Sequence, residues 1–144
     1  MYTDSASLQY LRFVVDSSEY GIDILDVREI RRNDHPTHLA GTTDEVAGII
    51  DLRGEIVPIV DLRTALGRER GTSEVCIIVN VRGRSVGLAV DRVCEVVRIA
   101  GSDVKPLPLE DAGSLVRGVA AGADEHLTLL LDVPALLARL GRAA

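Results

Sequence analysis

The stretch GIIDLRGEIVPIVDLR, residues 48–63, decides the fold class of this chain. Two apolar runs, at 49–50 and 56–60, lie on either side of a short charged segment with Arg53 and Gly54 at its tip. A two-residue connection that contains glycine is typical of a β-hairpin, because glycine adopts a positive φ at no steric cost. The stretch therefore predicts two antiparallel strands joined by a tight turn at Arg53 and Gly54.

Internal similarity between two parts of the chain extends this prediction outward. The matching segments are YGIDILDVREI (20–30) with VGLAVDRVCEV (86–96), and VAGIIDLRGEIVPIVDLRTAL (46–66) with VRGVAAGADEHLTLLLDVPALL (116–137). The matching glycines are Gly21 with Gly87 and Gly48 with Gly118. Each copy spans about 70 residues in the order hairpin, strand, loop, hairpin and short helix.

A duplicated, hairpin-rich unit of this size predicts two small β-barrels, because closing a sheet removes its exposed edges. We expect a mainly β protein with short helices, one that begins at Asp61 and ends at Gly67 and one that begins at Asp132 and ends at Gly141. The predicted domain covers residues 8–140, and its two interlocked barrel halves cover about 8–70 and 71–140.

The composition and net charge of the chain argue against some classes of function. Of the 144 residues, 47% are apolar, which is enough for a packed core, and the formal net charge is −6 with no cluster of basic residues. A nucleic-acid partner is therefore not expected. The chain contains no apolar run of about 18 residues and no signal-peptide pattern at its start, so we expect a cytoplasmic protein without direct membrane insertion. Cys76 and Cys94 are accordingly predicted to be reduced thiols.

The residues that often carry chemistry form no recognisable constellation. Asp34, His35 and His38 surround a proline that keeps the imidazoles off a shared helical face, so no metal site is predicted. His126 has no nucleophile placed beside it by a known motif. The strand carboxylates are interpreted as a solvated outer face; they are Asp23, Asp26, Glu29, Asp51, Asp61 and Asp91. No catalytic residue and no cofactor is predicted.

The exposed residues leave two alternatives open. Arg53 is either an ordinary turn arginine or an anchor for a carboxylate of a partner, since a guanidinium offers a planar bidentate fork. Val27 and Ile30 are either core residues or the apolar lining of a groove between the barrels, in which a partner helix lies. The residues alone indicate an interaction module of two β-barrels.

Four segments in order along the chain resemble the CheW family of bacterial chemotaxis coupling proteins. They are YGIDILDVREIRR (20–32), GIIDLRGEIVPIVDLR (48–63), VCIIVNVRGRSVGLAVDRVCEVVRI (75–99) and LLLDVPALL (129–137). The resemblance implies two SH3-like five-stranded barrels and no enzymatic activity. It implies an adaptor that links the cytoplasmic tip of transmembrane chemoreceptors to the regulatory domain of a CheA-type histidine autokinase. Such an adaptor is cytoplasmic and is recruited to membrane-associated receptor arrays.

The resemblance also implies which residues bind partners. They are Val27, Glu29, Ile30, Arg53 and Val75, with Gly54 forming the turn that presents Arg53. The sequence departs from the family in two places: Asp51 stands where the family usually has asparagine, and the segment 106–114 lacks the aromatic residue that many members carry there.

Two other functions are considered beside this one. The first is a CheW-like coupling protein of a non-flagellar chemosensory pathway, serving surface motility or development. The second is a small enzyme with a dispersed acid–base site between the barrels, which requires a cleft with a perturbed carboxylate or histidine.

Overall fold

The computed structural model describes residues 7–33, 36–69, 71, 73–107, 115–121 and 126–143. The strands are β1 (Ser7–Val15), β2 (Ser18–Asp23), β3 (Val27–Arg32), β4 (Val46–Leu52), β5 (Glu55–Asp61), β6 (Val75–Val81), β7 (Arg84–Val90), β8 (Arg92–Ala100), β9 (Val104–Lys105), β10 (Val116–Ala121) and β11 (Leu127–Leu131). The α-helices are α1 (Leu62–Ala65) and α2 (Val133–Ala143), and two short 3-10 helices cover Ile24–Asp26 and Gly101–Asp103.

The strands form two sheets, which fit two SH3-like β-barrels and confirm the predicted fold class. One sheet has six strands in the order β8-β1-β2-β11-β10-β9, and we call it barrel A. The other has five strands in the order β3-β6-β7-β5-β4, and we call it barrel B. Each barrel takes strands from both sequence halves, so the division into residues 8–70 and 71–140 does not separate the barrels and is corrected here.

The exchange of strands preserves the duplication. Gly21 on β2 lies opposite Leu130 on the parallel strand β11, and Gly87 on β7 lies opposite Ile59 on the parallel strand β5. When β3, β4 and β5 are replaced by β8, β10 and β11, and β6 and β7 by β1 and β2, the strand order of barrel B becomes that of barrel A without β9. Gly21 and Gly87 therefore occupy equivalent strands, which confirms the predicted duplication.

The second glycine pair marks an equivalent irregularity in both barrels. The register of the β4–β5 hairpin shifts between Val46 and Gly48, and that of the β10–β11 hairpin shifts between Val116 and Gly118. Gly48 has φ 154°, and a Cβ built on it would lie 2.4 Å from the carbonyl oxygen of Thr37. Only glycine lets the two backbones approach this closely at the bulge.

The main core fills the space where the two sheets face each other. Its members from barrel A include the stacked pair Phe13 and Tyr20, whose ring centroids are 5.8 Å apart. Strands β6 and β7 contribute alternate residues, such as Ile77 and Leu88, from barrel B. A second cluster lies on the opposite face of the barrel B sheet, in the barrel interior; it consists of Leu52, Val57, Ile59, Cys76, Ile78 and Ala89.

Both predicted helices begin after an aspartate whose side chain caps the first turn. The Asp61 carboxylate accepts a hydrogen bond from the backbone N–H of Arg63, and that of Asp132 accepts one from the N–H of Ala135. Asp61 is 6% exposed, so the interpretation of this carboxylate as part of a solvated face is wrong: the cap holds it inside. Helix α2 continues to Ala143, past the predicted end at Gly141.

Both cysteines are free, with Cys76 buried and Cys94 half-buried. Burial raises the pKa of the Cys76 thiol to about 12. No helix within the described residues has both the length and the apolarity to cross a membrane. The predictions about Asp34, His35 and most of the segment 106–114 fall on residues outside the described ranges.

Candidate partner-binding surface

The hairpin tip is held by its own side chains. Arg53 has φ 50° and Gly54 has φ 91°, and positive φ at both central residues is the pattern of a type I′ turn. Arginine tolerates this region poorly, so the turn needs support from outside the backbone. The Asp51 carboxylate supplies it by accepting a 2.8 Å hydrogen bond from the N–H of Gly54. Leu52, 1% exposed, packs into the barrel interior and fixes the hairpin to barrel B.

Arg53 and Glu29 form an ion pair with each other. The Nη2 atom of Arg53 lies 2.8 Å from Oε1 and 3.2 Å from Oε2 of Glu29. The hydrogen bond from Arg53 lowers the pKa of the Glu29 carboxyl, and the bond to Glu29 raises the pKa of Arg53. Strands β3 and β4 are the two ends of the barrel B sheet order, so this ion pair joins edges that the closing of the sheet brings together.

A second ion pair strengthens the same seam. The Nη1 atom of Arg28 lies 2.7 Å from Oε1 of Glu55 and donates a 3.0 Å hydrogen bond to the hydroxyl of Ser85. The hydrogen bond from Arg28 lowers the pKa of Glu55. Sequence reasoning missed this pair because its members are separated along the chain and neither belongs to a motif.

The Arg53 side chain remains 63% exposed despite its bond to Glu29. Both of its hydrogen bonds to Glu29 come from Nη2. Its Nη1 and Nε atoms make no hydrogen bond within the described residues, so their N–H donors remain for a further acceptor. A partner carboxylate therefore has a place beside Arg53 without displacing Glu29.

The three apolar site residues, on β3 and its neighbour β6, lie on the face of the sheet opposite Glu29. Val27 pairs with Val79 and Ile30 with Ile77, and cross-strand partners point to the same side of a sheet. Val75 follows on β6 along the same face as Val79 and Ile77, since alternate residues share a face. Val27 and Val75 are half-buried against the main core, whereas Ile30 is 46% exposed.

The five predicted residues are thus divided between the two faces of the barrel B sheet at β3. Val27, Ile30 and Val75 form a row that continues the core between the barrels out to the surface; we call it the apolar row. Glu29 and Arg53 form the charged pair on the opposite side of β3. Val27 and Val75 lie near opposite ends of the β3–β6 pairing, so the row is elongated.

One further apolar residue is exposed beside the hairpin. Ile56 on β5 is 61% exposed and lies opposite Asp51, while its neighbour Val57 is buried. The run EIVPIV (55–60) does not reveal this difference by its composition, because the residues on both faces of the strand are mostly apolar. The two-residue period of a strand, counted from the buried positions Val57 and Ile59, is the signal that places Ile56 outside.

The histidines in the described ranges do not assemble a metal site. No group of three potential ligands among histidine, cysteine, aspartate and glutamate occurs within those ranges. The ring of His126 is exposed, with its Nδ1 atom 3.6 Å from Oε1 of Glu19. Burial, and then the charge of Asp23, raise the pKa of the Asp26 carboxyl. No histidine lies in hydrogen-bond contact with Asp26 among the described residues, so no acid–base pair forms there.

Comparison with known proteins agrees with the fold. The model of the CheW-like domain family matches residues 9–141. The chemotaxis protein CheW of Klebsiella aerogenes is 36% identical over 140 residues, which cover 93% of this chain and 84% of that protein. The chemotaxis protein CheW of Helicobacter pylori is 30% identical over 128 residues, covering 85% of this chain and 78% of that protein.

A solved structure shares the architecture. The crystal structure of the scaffolding protein TtCheW from Thermoanaerobacter tengcongensis superimposes with a TM-score of 0.80 at 30% sequence identity. The superposition covers 88% of this chain and 89% of that one. The superposition and the sequence alignments therefore cover similar shares of this chain.

Proposed function

Because this chain belongs to the family of CheW-like domains, we propose that it is a non-enzymatic adaptor that couples transmembrane chemoreceptors to a CheA-type histidine kinase. The observation that carries the proposal is the family match over residues 9–141, together with relatives named as chemotaxis and scaffolding proteins. The adaptor acts in the cytoplasm, at membrane-associated receptor arrays.

The apolar row is the proposed contact for a receptor tip. A helix that presents an apolar ridge buries it against Val27, Ile30 and Val75, which removes the exposed surface of Ile30 from water. The two half-buried valines are anchored by the core behind them, so the row is rigid before the partner arrives. Little conformational entropy is then lost on binding.

The charged pair is the proposed determinant of partner register. Arg53 is fixed by the turn beneath it and by Glu29 beside it, and its Nη1 and Nε donors remain for a partner. A partner carboxylate that reaches these donors completes a three-member charge chain with Arg53 and Glu29. Such contacts favour the correct orientation more than they add affinity, and salt weakens them.

Paired binding experiments test this function. The chain is mixed with a receptor-tip fragment and, separately, with the regulatory domain of the kinase, and both affinities are measured by calorimetry. We expect Arg53→Ala to weaken binding of at least one partner about tenfold, the usual loss for one charge-assisted interface contact. The melting temperature should change by less than about 2 °C, because an exposed ion pair contributes little to stability.

A matched control separates the anchor from general charge. Arg82 is also a turn arginine with positive φ, 55°, on the exposed β6–β7 connection. Arg82→Ala removes the same charge from an equivalent turn geometry and should leave both affinities unchanged. Arg53 is not the anchor when Arg53→Ala binds both partners as the unmodified chain does, or when the two variants lose affinity equally.

A further inference from the structure

Asp91 connects the two barrels between β7 and β8. Strand β7 ends at Val90 in barrel B, and β8 begins at Arg92 in barrel A. The backbone N–H of Asp91 donates a 3.0 Å hydrogen bond to the carbonyl oxygen of Val14 on β1. The chain therefore passes from one barrel to the other within one residue, and the contacts of that residue help to fix how the barrels meet.

The side chain of Arg63 lies at this connection. Arg63 belongs to α1, which follows the barrel B strand β5. Its Nε atom donates a 2.9 Å hydrogen bond to Oδ1 of Asp91, and its Nη2 atom donates a 2.6 Å bond to Oδ2. Its Nη1 atom lies 3.6 Å from Oδ1 of Asp16, in the β1–β2 turn of barrel A. All three guanidinium nitrogens thus face carboxylates, which the single side-chain nitrogen of a lysine cannot reproduce.

The β1–β2 turn depends on the same connection. Asp16 has φ 49° and Ser17 has φ 72°, and this left-handed region disfavours residues other than glycine. The β6–β7 turn has Gly83 at the position equivalent to Ser17. The N–H of Asp16 donates a 2.8 Å hydrogen bond to Oδ2 of Asp91, so the Arg63–Asp91 pair also supports this turn.

Arg63 also lies against the chain that leads into β6. A Cβ built on Gly71 would lie 2.9 Å from Cζ of Arg63 and 3.0 Å from its Nη1 atom, so a larger residue at position 71 would displace the guanidinium. Val75 begins β6 four residues later, and its partner on β7 is Val90. Val90 immediately precedes Asp91. Arg63 therefore contacts the chain segments next to both members of the Val75–Val90 pair.

We propose that Arg63 is a positioning residue for partner binding. Its side chain, 20% exposed, fixes the Val75 end of the apolar row through Gly71 and Asp91. This role rests on the proposed function, in which a receptor helix docks on that row. An apolar ridge packs best on a surface that already has the right shape, so a shift of Val75 lowers the affinity even when the chain stays folded.

Two variants displace the Arg63 guanidinium by different means. Arg63→Lys keeps the charge but loses the paired hydrogen bonds to Asp91. Gly71→Ala changes no charge, and its new methyl group pushes the guanidinium out of its place. The matched control is Arg68→Lys. Arg68 also lies 3.6 Å from Asp16, but its side chain is 45% exposed, and within the described residues it makes no hydrogen bond to Asp91.

Methyl NMR of the chain without a partner measures the positioning. In both displacing variants we expect the methyl signals of Val75 and Val90 to shift. The signals of Val27, near the opposite end of the β3–β6 pairing, should stay in place. The control variant should leave all three residues unchanged. Unmoved signals of Val75 and Val90 in the displacing variants would overturn the proposal.

Calorimetry with a receptor-tip fragment measures the consequence for binding. We expect both displacing variants to weaken binding about threefold to tenfold, and the control variant to bind as the unmodified chain does. A lower melting temperature with unchanged affinity of the folded chain would show a role in stability alone and would overturn the proposal. Absence of binding by the unmodified chain would contradict the proposed function and the role in binding with it, whereas the methyl signals show separately whether Arg63 positions Val75.

Discussion

The substitution of alanine for Gly87 tests how tightly barrel B is packed. A Cβ at this position would lie 2.4 Å from Cδ1 of Ile59, 2.7 Å from Sγ of Cys76 and 3.2 Å from Cδ1 of Ile78. Contacts below about 3 Å force neighbouring side chains to move, and overpacking of a core costs about 1–3 kcal/mol. Alanine has fewer backbone states than glycine, so the substitution lowers the conformational entropy of the unfolded chain. This effect stabilises the folded state by about 0.4–1 kcal/mol.

The expected net effect of Gly87→Ala is a loss of about 1–2 kcal/mol in the free energy of unfolding. For a chain of this length, such a loss lowers the melting temperature by roughly 3–6 °C. Urea unfolding followed by circular dichroism gives the free energy, and a thermal scan gives the melting temperature.

Gly21→Ala is the matched control, because Gly21 occupies the equivalent strand position in barrel A. Its closest contacts are 3.2, 3.4 and 3.6 Å, so the new methyl group is accommodated with little movement. We expect a change of less than about 0.5 kcal/mol. Equal losses for the two variants, or a larger loss for Gly21→Ala, would refute the conclusion that the surroundings of Gly87 are packed more tightly than those of Gly21.

Two further predictions concern ionisable groups. Although burial acts in the opposite direction, hydrogen bonds from Arg63 and from the N–H of Asp16 lower the pKa of the Asp91 carboxyl below its ordinary value of 3.8. The stability that these hydrogen bonds provide is therefore present above pH 3.8 and is lost as the pH falls further. Urea unfolding at decreasing pH should show a shallower acid loss in Arg63→Ala, and an unchanged slope would contradict this. Burial raises the pKa of the Cys76 thiol to about 12. Iodoacetamide at pH about 8 should therefore label Cys94 before Cys76, as followed by mass spectrometry. Faster labelling of Cys76 would contradict its burial.

The sequence predicted the local elements of this fold well, because the signals for them are local. Turns at Arg53–Gly54, strands with a two-residue period and helix caps at Asp61 and Asp132 each depend on a few neighbouring residues. The duplication was visible for the same reason, since Gly21 and Gly87 stand in similar local contexts.

The exchange of strands between the two halves could not be predicted from those signals. Strand β5 pairs in parallel with β7, and β2 pairs in parallel with β11. Both pairings join distant parts of the chain, and an apolar strand does not encode which neighbour it will join. The assumption that each half forms its own barrel therefore had no local signal to correct it.

The contacts within the candidate site could not be predicted from local signals either. Glu29 and Arg53 were each predicted as partner-binding residues, but their mutual ion pair depends on the closing of barrel B, which brings β3 to the β4–β5 hairpin. The burial of Asp61 was missed because an aspartate at the end of a strand has the same sequence appearance whether it caps a helix inside or faces water.

The adaptor function is tested most directly by reconstitution. Receptor-containing vesicles and the CheA-type kinase are combined with and without this chain, and kinase autophosphorylation is measured before and after addition of the receptor's ligand. The account predicts that the chain sediments with the vesicles together with the kinase, and that the kinase responds to the ligand only when the chain is present. An identical ligand response without the chain, or a chain that sediments with neither partner, would contradict it.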